Sequence, residues 1–323
     1  MKLNLNRREF VTASAATGLG LWAAGRLDAA PAFKTKLHKA MIRKPAVEGI
    51  TGLKEAGFDG FETNHIVPPE EAAQGRAFAE KAGLRIHSVL RGWAEFNSDD
   101  PAKIESSLET TRKALRAAKA YGADAVLLVP CKIGGKGMAM PQPWEFEIEF
   151  EEKTGHVKKV VAGDNAPYQD YIAAHNKAID GSVANVRKLI PLARELKVVI
   201  ALENVWNNLW VKPAIFKHFV ASFQDEWVRA YFDIGNHVKY QKPEDWIHTL
   251  GSLIAKCHIK DFKVDQAAPN GGKFVHPRDG DINWPAVRQA LDDVGYNGWL
   301  TIEDGGLPLE EFNKRLDLII AGK

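Results

Sequence analysis

From residue 36 to the end of the chain, short apolar runs alternate with longer amphipathic stretches, and few architectures accommodate eight rounds of that rhythm. The runs at 37–42, 58–63, 85–90, 125–130, 198–203, 228–233, 254–259 and 299–303 have the length and composition of buried strands. Between and after them, 45–56, 70–82, 101–121, 170–196, 213–221, 243–250, 284–294 and 308–320 read as helices, several opening on Pro or Asp. Gly57 and Gly83 stand where a helix passes into the next strand. Eight consecutive βα units favour a closed parallel sheet, an α/β fold of the (β/α)8 TIM barrel type, over an open doubly wound one. A β-hairpin insertion after strand 4 is expected at 132–169. There Glu145-Phe146-Glu147-Ile148-Glu149-Phe150 alternates charge with apolar bulk, Thr154-Gly155 makes a turn, and 156–161 returns. Standing above the C-terminal face, it would be either a pocket wall or an edge for a second copy.

The first 32 residues read as an address rather than as fold. Asn6-Arg7-Arg8-Glu9-Phe10-Val11 sets paired arginines before a weakly apolar run, 11–24, that falls short of the roughly 20 residues a bilayer requires. Ala30-Pro31-Ala32 follows as a small-x-small cleavage pattern. The expectation is a twin-arginine signal peptide at 1–32, recognised by the twin-arginine export machinery, and a mature barrel at 33–323 that is periplasmic or otherwise exported. Without the leader, 39 basic residues face 39 acidic ones. A neutral chain has no general electrostatic reason to hold nucleic acid or an anionic membrane, so neither is expected as a partner. A homo-oligomer is compatible with the composition. Cys131 and Cys257 fall on the fourth and seventh strands, nearly opposite each other, so both are expected to be free and buried.

In a parallel barrel the C-terminal strand tips converge on one mouth, and here they carry Glu62, His87, Glu203, Asp233, His258 and Glu303. Period-two parity sharpens this: Val199, Ala201 and Glu203 share the inward side, as do Tyr231 and Asp233, His258 and Lys260, and Thr301 and Glu303. The last four strands thus offer Glu203, Asp233, His258 and Glu303 to one volume. Three carboxylates there repel one another unless a cation sits among them. One divalent metal ion is therefore expected; the donor set suits Mn²⁺ first, and Mg²⁺ or Co²⁺, with Zn²⁺ compatible on ligand type.

The phrases Leu202-Glu203-Asn204, Phe232-Asp233-Ile234-Gly235-Asn236-His237, Cys257-His258-Ile259-Lys260-Asp261 and Thr301-Ile302-Glu303 resemble the motifs of the sugar phosphate isomerase/epimerase, or xylose isomerase-like barrel, superfamily. Gly57-Phe58-Asp59-Gly60-Phe61-Glu62, Gly280-Asp281-Ile282-Asn283-Trp284 and Gly295-Tyr296-Asn297-Gly298-Trp299 are similar to its recurrent phrases. The resemblance spans 36–320 and marks the superfamily, not the substrate. It implies that Glu203, Asp233, His258 and Glu303 are metal ligands and that Glu203 and Glu303 double as the catalytic proton-transferring pair. It also implies a small-molecule carbohydrate substrate, with isomerisation or epimerisation through an enediolate.

Further contacts are more open. His237 is either a substrate-hydroxyl partner or a plain loop histidine, and Lys260 either stabilises an oxyanion or pairs with Asp261 or Glu303. Arg278, in His276-Pro277-Arg278-Asp279, resembles the substrate-contacting arginine of relatives, or is an exposed loop residue. Glu62 and His87 sit at tips suited to polyol hydroxyls, although His87 also fits a core position. Trp93, Trp144, Trp206 and Trp210 fall in active-face loops, as sugar-stacking or ordinary packing residues. A lyase or dehydratase acting by β-elimination on a keto-sugar or 3-keto-glycoside needs the same metal and base. A non-enzymatic sugar binder needs neither. A nuclease of the same fold needs more histidines and a basic groove.

Overall fold

The computed structural model describes residues 33–135 and 137–323; the leader expected at 1–32 lies outside the described residues. The strands, numbered along the chain, are β1 (His38–Ile42), β2 (Gly60–Thr63), β3 (Arg85–Trp93), β4 (Ala125–Val129), β5 (Glu149–Phe150), β6 (Val157–Lys159), β7 (Val199–Glu203), β8 (Val228–Asp233), β9 (Ile254–Ile259), β10 (Asp261–Val264), β11 (Gly272–Val275) and β12 (Trp299–Ile302). Eight of them close a parallel barrel in the order β1-β12-β9-β8-β7-β4-β3-β2. The final closure pairs His38 with Trp299 and Ala40 with Thr301. Every expected barrel strand is present, and the fold is a (β/α)8 TIM barrel.

The α-helices are α1 (Val47–Ile50), α2 (Pro69–Lys81), α3 (Pro101–Tyr121), α4 (Gln169–Arg187), α5 (Ile190–Leu196), α6 (Pro213–Ala221), α7 (Pro243–Leu250), α8 (Trp284–Asp293) and α9 (Leu309–Ile320). Two differ from expectation for reasons the sequence contains. The segment 170–196 divides because Pro191 has no N–H to give and its ring crowds the carbonyl of Arg187, where α4 stops. The segment 45–56 yields just the single turn of α1, because Gly52 takes a left-handed φ of 78°.

Apolar packing occupies two layers. The larger lies between sheet and helices and contains Phe61, Val126, Leu202, Phe232, Cys257 and Ile302. The smaller fills the barrel interior with Ala125, Leu127, Val129, Ala201 and Tyr231. Neighbours in sequence therefore go to opposite layers, as period-two pleating requires. Cys131 and Cys257 are both free and buried. Within 132–169, β5 and β6 pair antiparallel, with Glu149 opposite Lys159 and Phe150 opposite Val157. They are shorter than the sequence alternation suggests. Their partners belong to the helix layer: Val157 N donates to Asn176 Oδ1 at 2.7 Å, and Phe150 lies 5.1 Å from the His218 ring.

A second antiparallel pair, β10 with β11, follows β9 directly and sets Phe262 opposite Phe274. The sequence signal for it is Asn270-Gly271-Gly272 between apolar-alternating flanks, a hairpin pattern not drawn in the eight-strand reading.

Candidate functional site

Barrel register decides which tips meet. Asp233 lies beside His258 in the β8–β9 ladder, and His258 beside Thr301 in the β9–β12 ladder. Glu303, two residues past Thr301, is fixed at the rim because its N–H donates to Ile259 O at 3.1 Å. One ligand atom each from Glu203, Asp233, His258 and Glu303 lies within 4.8 Å of all the others. A cation bonded at about 2.0–2.2 Å to oxygen and nitrogen donors places opposite donors about 4–4.4 Å apart, so the spacing suits one small ion.

The donors are also aimed. Asp233 spends Oδ1 on the backbone N–H groups of Gly235 and Asn236, at 2.8 and 2.7 Å, which leaves its buried Oδ2 without a hydrogen-bond partner. Asn236 Nδ2 donates to Glu203 Oε1 at 3.4 Å. His258 Nε2 is 2.6 Å from Glu62 Oε2, both side chains being fully enclosed, so Nε2–H donates there and Nδ1 turns toward the cluster. Nδ1 then lies 3.0 Å from Glu303 Oε2, yet neither atom has a hydrogen-bond partner of acceptable alignment. Three buried donor atoms thus face one volume without an aligned hydrogen bond, two of them in ion-pair range of Lys260, an arrangement with room for a cation.

Charge points the same way. Glu62, Glu203, Asp233 and Glu303 surround His258 and the Lys260 ammonium; even with the imidazole protonated, two negative charges remain. Burial raises the Asp233 carboxyl to about 7, despite the opposing Lys260 charge. Burial alone would depress His258, but Glu62 and then Glu303 reverse this and hold the ring well above the usual imidazole range. For Glu303 burial is likewise overcome, here by His258 and then Lys260, and its carboxyl falls below the usual carboxylate range. These are the signs of a site short of positive charge, and the residues fit a divalent cation.

Lys260 takes one of the two partners expected, Glu303, together with Asp233 in place of Asp261: Nζ is 2.8 Å from Glu303 Oε2 and 3.2 Å from Asp233 Oδ2. Its stem explains Gly235, where a Cβ would come within 2.5 Å of Lys260 Cγ. Asp261 instead organises the next loop, accepting from Phe262 N, Arg278 N and Trp284 Nε1 at 2.8, 2.9 and 2.9 Å.

Four residues offered as contacts have other partners here. Glu62 is completely buried beneath His258, to which it is bonded. His87 is completely buried too, bonded through Nε2 to Thr301 Oγ1 at 3.0 Å and stacked 4.5 Å from Trp299; it is the core histidine. His237 is 2% exposed and pushed down to about 3, chiefly by burial, with Nδ1 accepting from Asn204 Nδ2 at 3.2 Å and the ring against Trp246. Trp210 is packed wholly inside against Phe216 and Phe219. Arg278 keeps a loop position at φ 78°, with Nη1 buried and unpartnered. Trp206 does reach the rim, where Lys239 Nζ sits 3.5 Å over its ring and Phe274 lies 4.9 Å away. Trp93 and Trp144 are exposed.

A cavity of about 500 Å³ opens beside the cluster, with Lys260 and Glu303 at its inner end and Lys273, Phe274, His276 and Asp304 further out. The last four were not singled out from sequence. Asp304 follows Glu303 directly, and its Oδ2 accepts from His276 Nδ1 at 2.7 Å. Among the described residues no helix is long and apolar enough to cross a membrane.

Comparison with known proteins agrees with this architecture. An inosose dehydratase of Geobacillus thermodenitrificans (strain NG80-2) is 33% identical over 75 residues, which is 19% of this chain and 25% of that protein. The chain thus spans a quarter of that curated relative. A crystal structure of 3-keto-D-glucoside 4-epimerase from E. coli superposes with a TM-score of 0.65 at 14% identity, covering 88% of this chain and 99% of that one. A D-tagatose 3-epimerase-like protein gives 0.66 at 16%, covering 88% and 98%. D-allulose 3-epimerase from Methylomonas sp., in complex with D-allulose, gives 0.59 at 17%, covering 90% and 96%. At such identities the structures speak for the fold. A family model, described as xylose isomerase-like TIM barrel, matches residues 50–318, and the chain belongs to that family.

Proposed function

We propose that this protein is a divalent-metal-dependent isomerase or epimerase that moves a proton at the carbon beside the carbonyl of a sugar or keto-sugar, and that it works after twin-arginine export. One observation carries the reading: Glu203 and Glu303 reach the same volume from β7 and β12, on either side of the β8 and β9 tips that bring Asp233 and His258. A carbon held between two carboxylates on opposite sides can lose a proton to one and regain it from the other, which inverts its configuration; the same proton delivered instead to the former carbonyl carbon, with the neighbouring hydroxyl proton passing to the former carbonyl oxygen, moves the carbonyl. Solved proteins of this fold that are named for 3-keto-D-glucoside, D-tagatose and D-allulose epimerisation support the substrate class.

Glu203, Asp233, His258 and Glu303 would hold the ion, Mn²⁺ by preference. When bound, it supplies Lewis acidity that makes the proton beside the carbonyl easier to remove. The chain's own residues do the remainder. Lys260 Nζ, 2.8 Å from Glu303 Oε2, keeps that carboxylate ionised and gives the cavity a fixed positive charge where negative charge develops on substrate oxygen. Asn236 orients Glu203 through its 3.4 Å contact, and Glu62 holds the His258 ring. Export rests on Arg7-Arg8, the weakly apolar run after them, and Ala30-Pro31-Ala32.

The test is incubation of the Mn²⁺-loaded protein with a panel of ketohexoses and 3-keto-glucosides in D₂O, followed by proton NMR. Deuterium should enter at a carbon adjacent to the carbonyl, and Glu203→Gln and Glu303→Gln should each slow this by about 10²-fold or more. Exchange that persists in both variants, or is absent across the panel, refutes the proposal.

A further inference from the structure

The hairpin β10–β11 presents an aromatic ring to the cavity that the metal cluster does not require. Phe274 is 41% exposed, among the few large apolar side chains left so open. It is also rigid: Trp206 lies 4.9 Å from it at 30°, and Phe262 meets it edge-on at 5.3 Å across the hairpin. An exposed aromatic braced by two others loses little entropy on binding, so it serves as a platform for a flat or half-apolar partner. On the same cavity wall the His276–Asp304 pair supplies the polar edge: with Nδ1–H given to Asp304, His276 Nε2 is left as an acceptor for a hydroxyl. Lys260 links the two regions, its Nζ 2.8 Å from Glu303 Oε2 and 5.0 Å from the Phe274 ring centre. The reacting carbon must sit at Glu203 and Glu303, so the Phe274 face is available to a group that the reacting ring carries.

We propose that Phe274, His276 and Asp304 form a second subsite, and that the substrate is a glycoside whose aglycone lies on Phe274 while the oxidised sugar ring lies at the metal cluster. A pyranose or aryl aglycone has the required apolar face, and a free monosaccharide leaves the platform empty. The inference rests on the reaction assigned above to Glu203 and Glu303, because that assignment fixes where the reacting ring sits.

Affinities of phenyl and methyl D-glucopyranosides, both anomers, would be measured on the Mn²⁺-loaded protein by ligand-observed NMR titration. The phenyl glycoside of one anomer should bind at least about tenfold tighter than its methyl counterpart, the change expected from burying an aromatic ring worth about 1.4 kcal/mol or more. Phe274→Ala should shrink that ratio to about twofold, and Phe274→Leu, which keeps apolar bulk, should give an intermediate value. Unchanged circular dichroism melting in either variant shows that the fold is intact. Equal affinities of phenyl and methyl glycosides in the wild type, no measurable binding of either, or a ratio that survives in folded Phe274→Ala overturns the subsite. Deuterium exchange is scored separately: a Phe274-dependent phenyl preference without exchange sustains the subsite and removes the epimerase reading, whereas exchange with equal affinities removes the subsite alone.

Discussion

Replacing Glu62 should weaken metal binding although Glu62 is not one of the four cluster residues. Its Oε2 holds His258 Nε2 at 2.6 Å in a place without solvent, so the contact is a charge-assisted hydrogen bond that fixes the tautomer and the ring plane together. Hydrogen bonds to charged groups contribute about 1.5–3 kcal/mol, and at about 1.4 kcal/mol per decade this is roughly a 10- to 150-fold change in dissociation constant. Partners of metal-ligating histidines, when mutated, typically cost about 10–100-fold, the same range. Glu62→Gln keeps an acceptor for Nε2–H but removes the charge, so its loss should fall at the lower end. Glu62→Leu leaves a buried N–H without a partner and should fall at the upper end. Isothermal titration of Mn²⁺ into each protein, demetallated beforehand, measures this directly, with the melting temperature of each apo variant as the control for folding. Dissociation constants within about twofold of wild type for a folded Glu62→Leu protein would refute the reasoning, since His258 would then hold its orientation without Glu62.

Two further outcomes follow from groups outside the cluster. His175 is buried, bonds Leu209 O through Nε2 at 3.0 Å, and is pushed down from 6.5 to about 4 chiefly by burial; the unfolded chain therefore binds the extra proton, and stability drops as pH falls from 6.5 toward 4, by up to about 3 kcal/mol, then levels off. Urea unfolding across that window should show the drop in wild type and a flatter curve in His175→Gln, and parallel curves would refute it. Asp261→Asn cannot accept from Arg278 N and Trp284 Nε1 with the same oxygen geometry while also serving Phe262 N, so it should lose at least about 2 kcal/mol in urea unfolding and loosen the loop that carries His276; a loss under about 0.5 kcal/mol would refute that role.

Period-two parity was sufficient to place Glu203, Asp233, His258 and Glu303 together, because all four stand at or just past strand ends and face inward. Parity says which face a side chain takes but not how deep along the barrel it lies. Glu62 and His87 share inward positions with the cluster, yet strand stagger and the irregular β2–β3 register between Phe61 and Glu62 seat them below the mouth. His237 and Trp210 take the loop and packing places that the sequence left open, and nothing in loop sequence shows that Trp246 and Phe219 await them in the helix layer. The β10–β11 hairpin is legible in Asn270-Gly271-Gly272, but it lies outside the rhythm of eight long units. Phe274 and His276 were missed with it, and Asp304 was hidden behind the stronger signal of Glu303.

The Glu62–His258 contact joins residues 196 positions apart, and in the barrel order β2 is separated from β9 by β1 and β12. The two side chains meet across the interior because the β1–β12 seam is closed. An imidazole is rigid and carries its two nitrogens on fixed bearings, so anchoring Nε2 on the β2 side aims Nδ1 at the β7, β8 and β12 carboxylates on the other. An open sheet with the same strands and the same four tip residues would bring Asp233 and His258 side by side, since they are ladder neighbours, but would leave the ring free to turn. The cluster therefore depends on barrel closure twice, for the convergence of its carboxylates and for the bearing of its histidine. A change that loosens the seam where Ala40 meets Thr301, itself the β9-side ladder neighbour of His258, should reach the site's ability to hold a cation before it reaches the stability of the outer apolar layer.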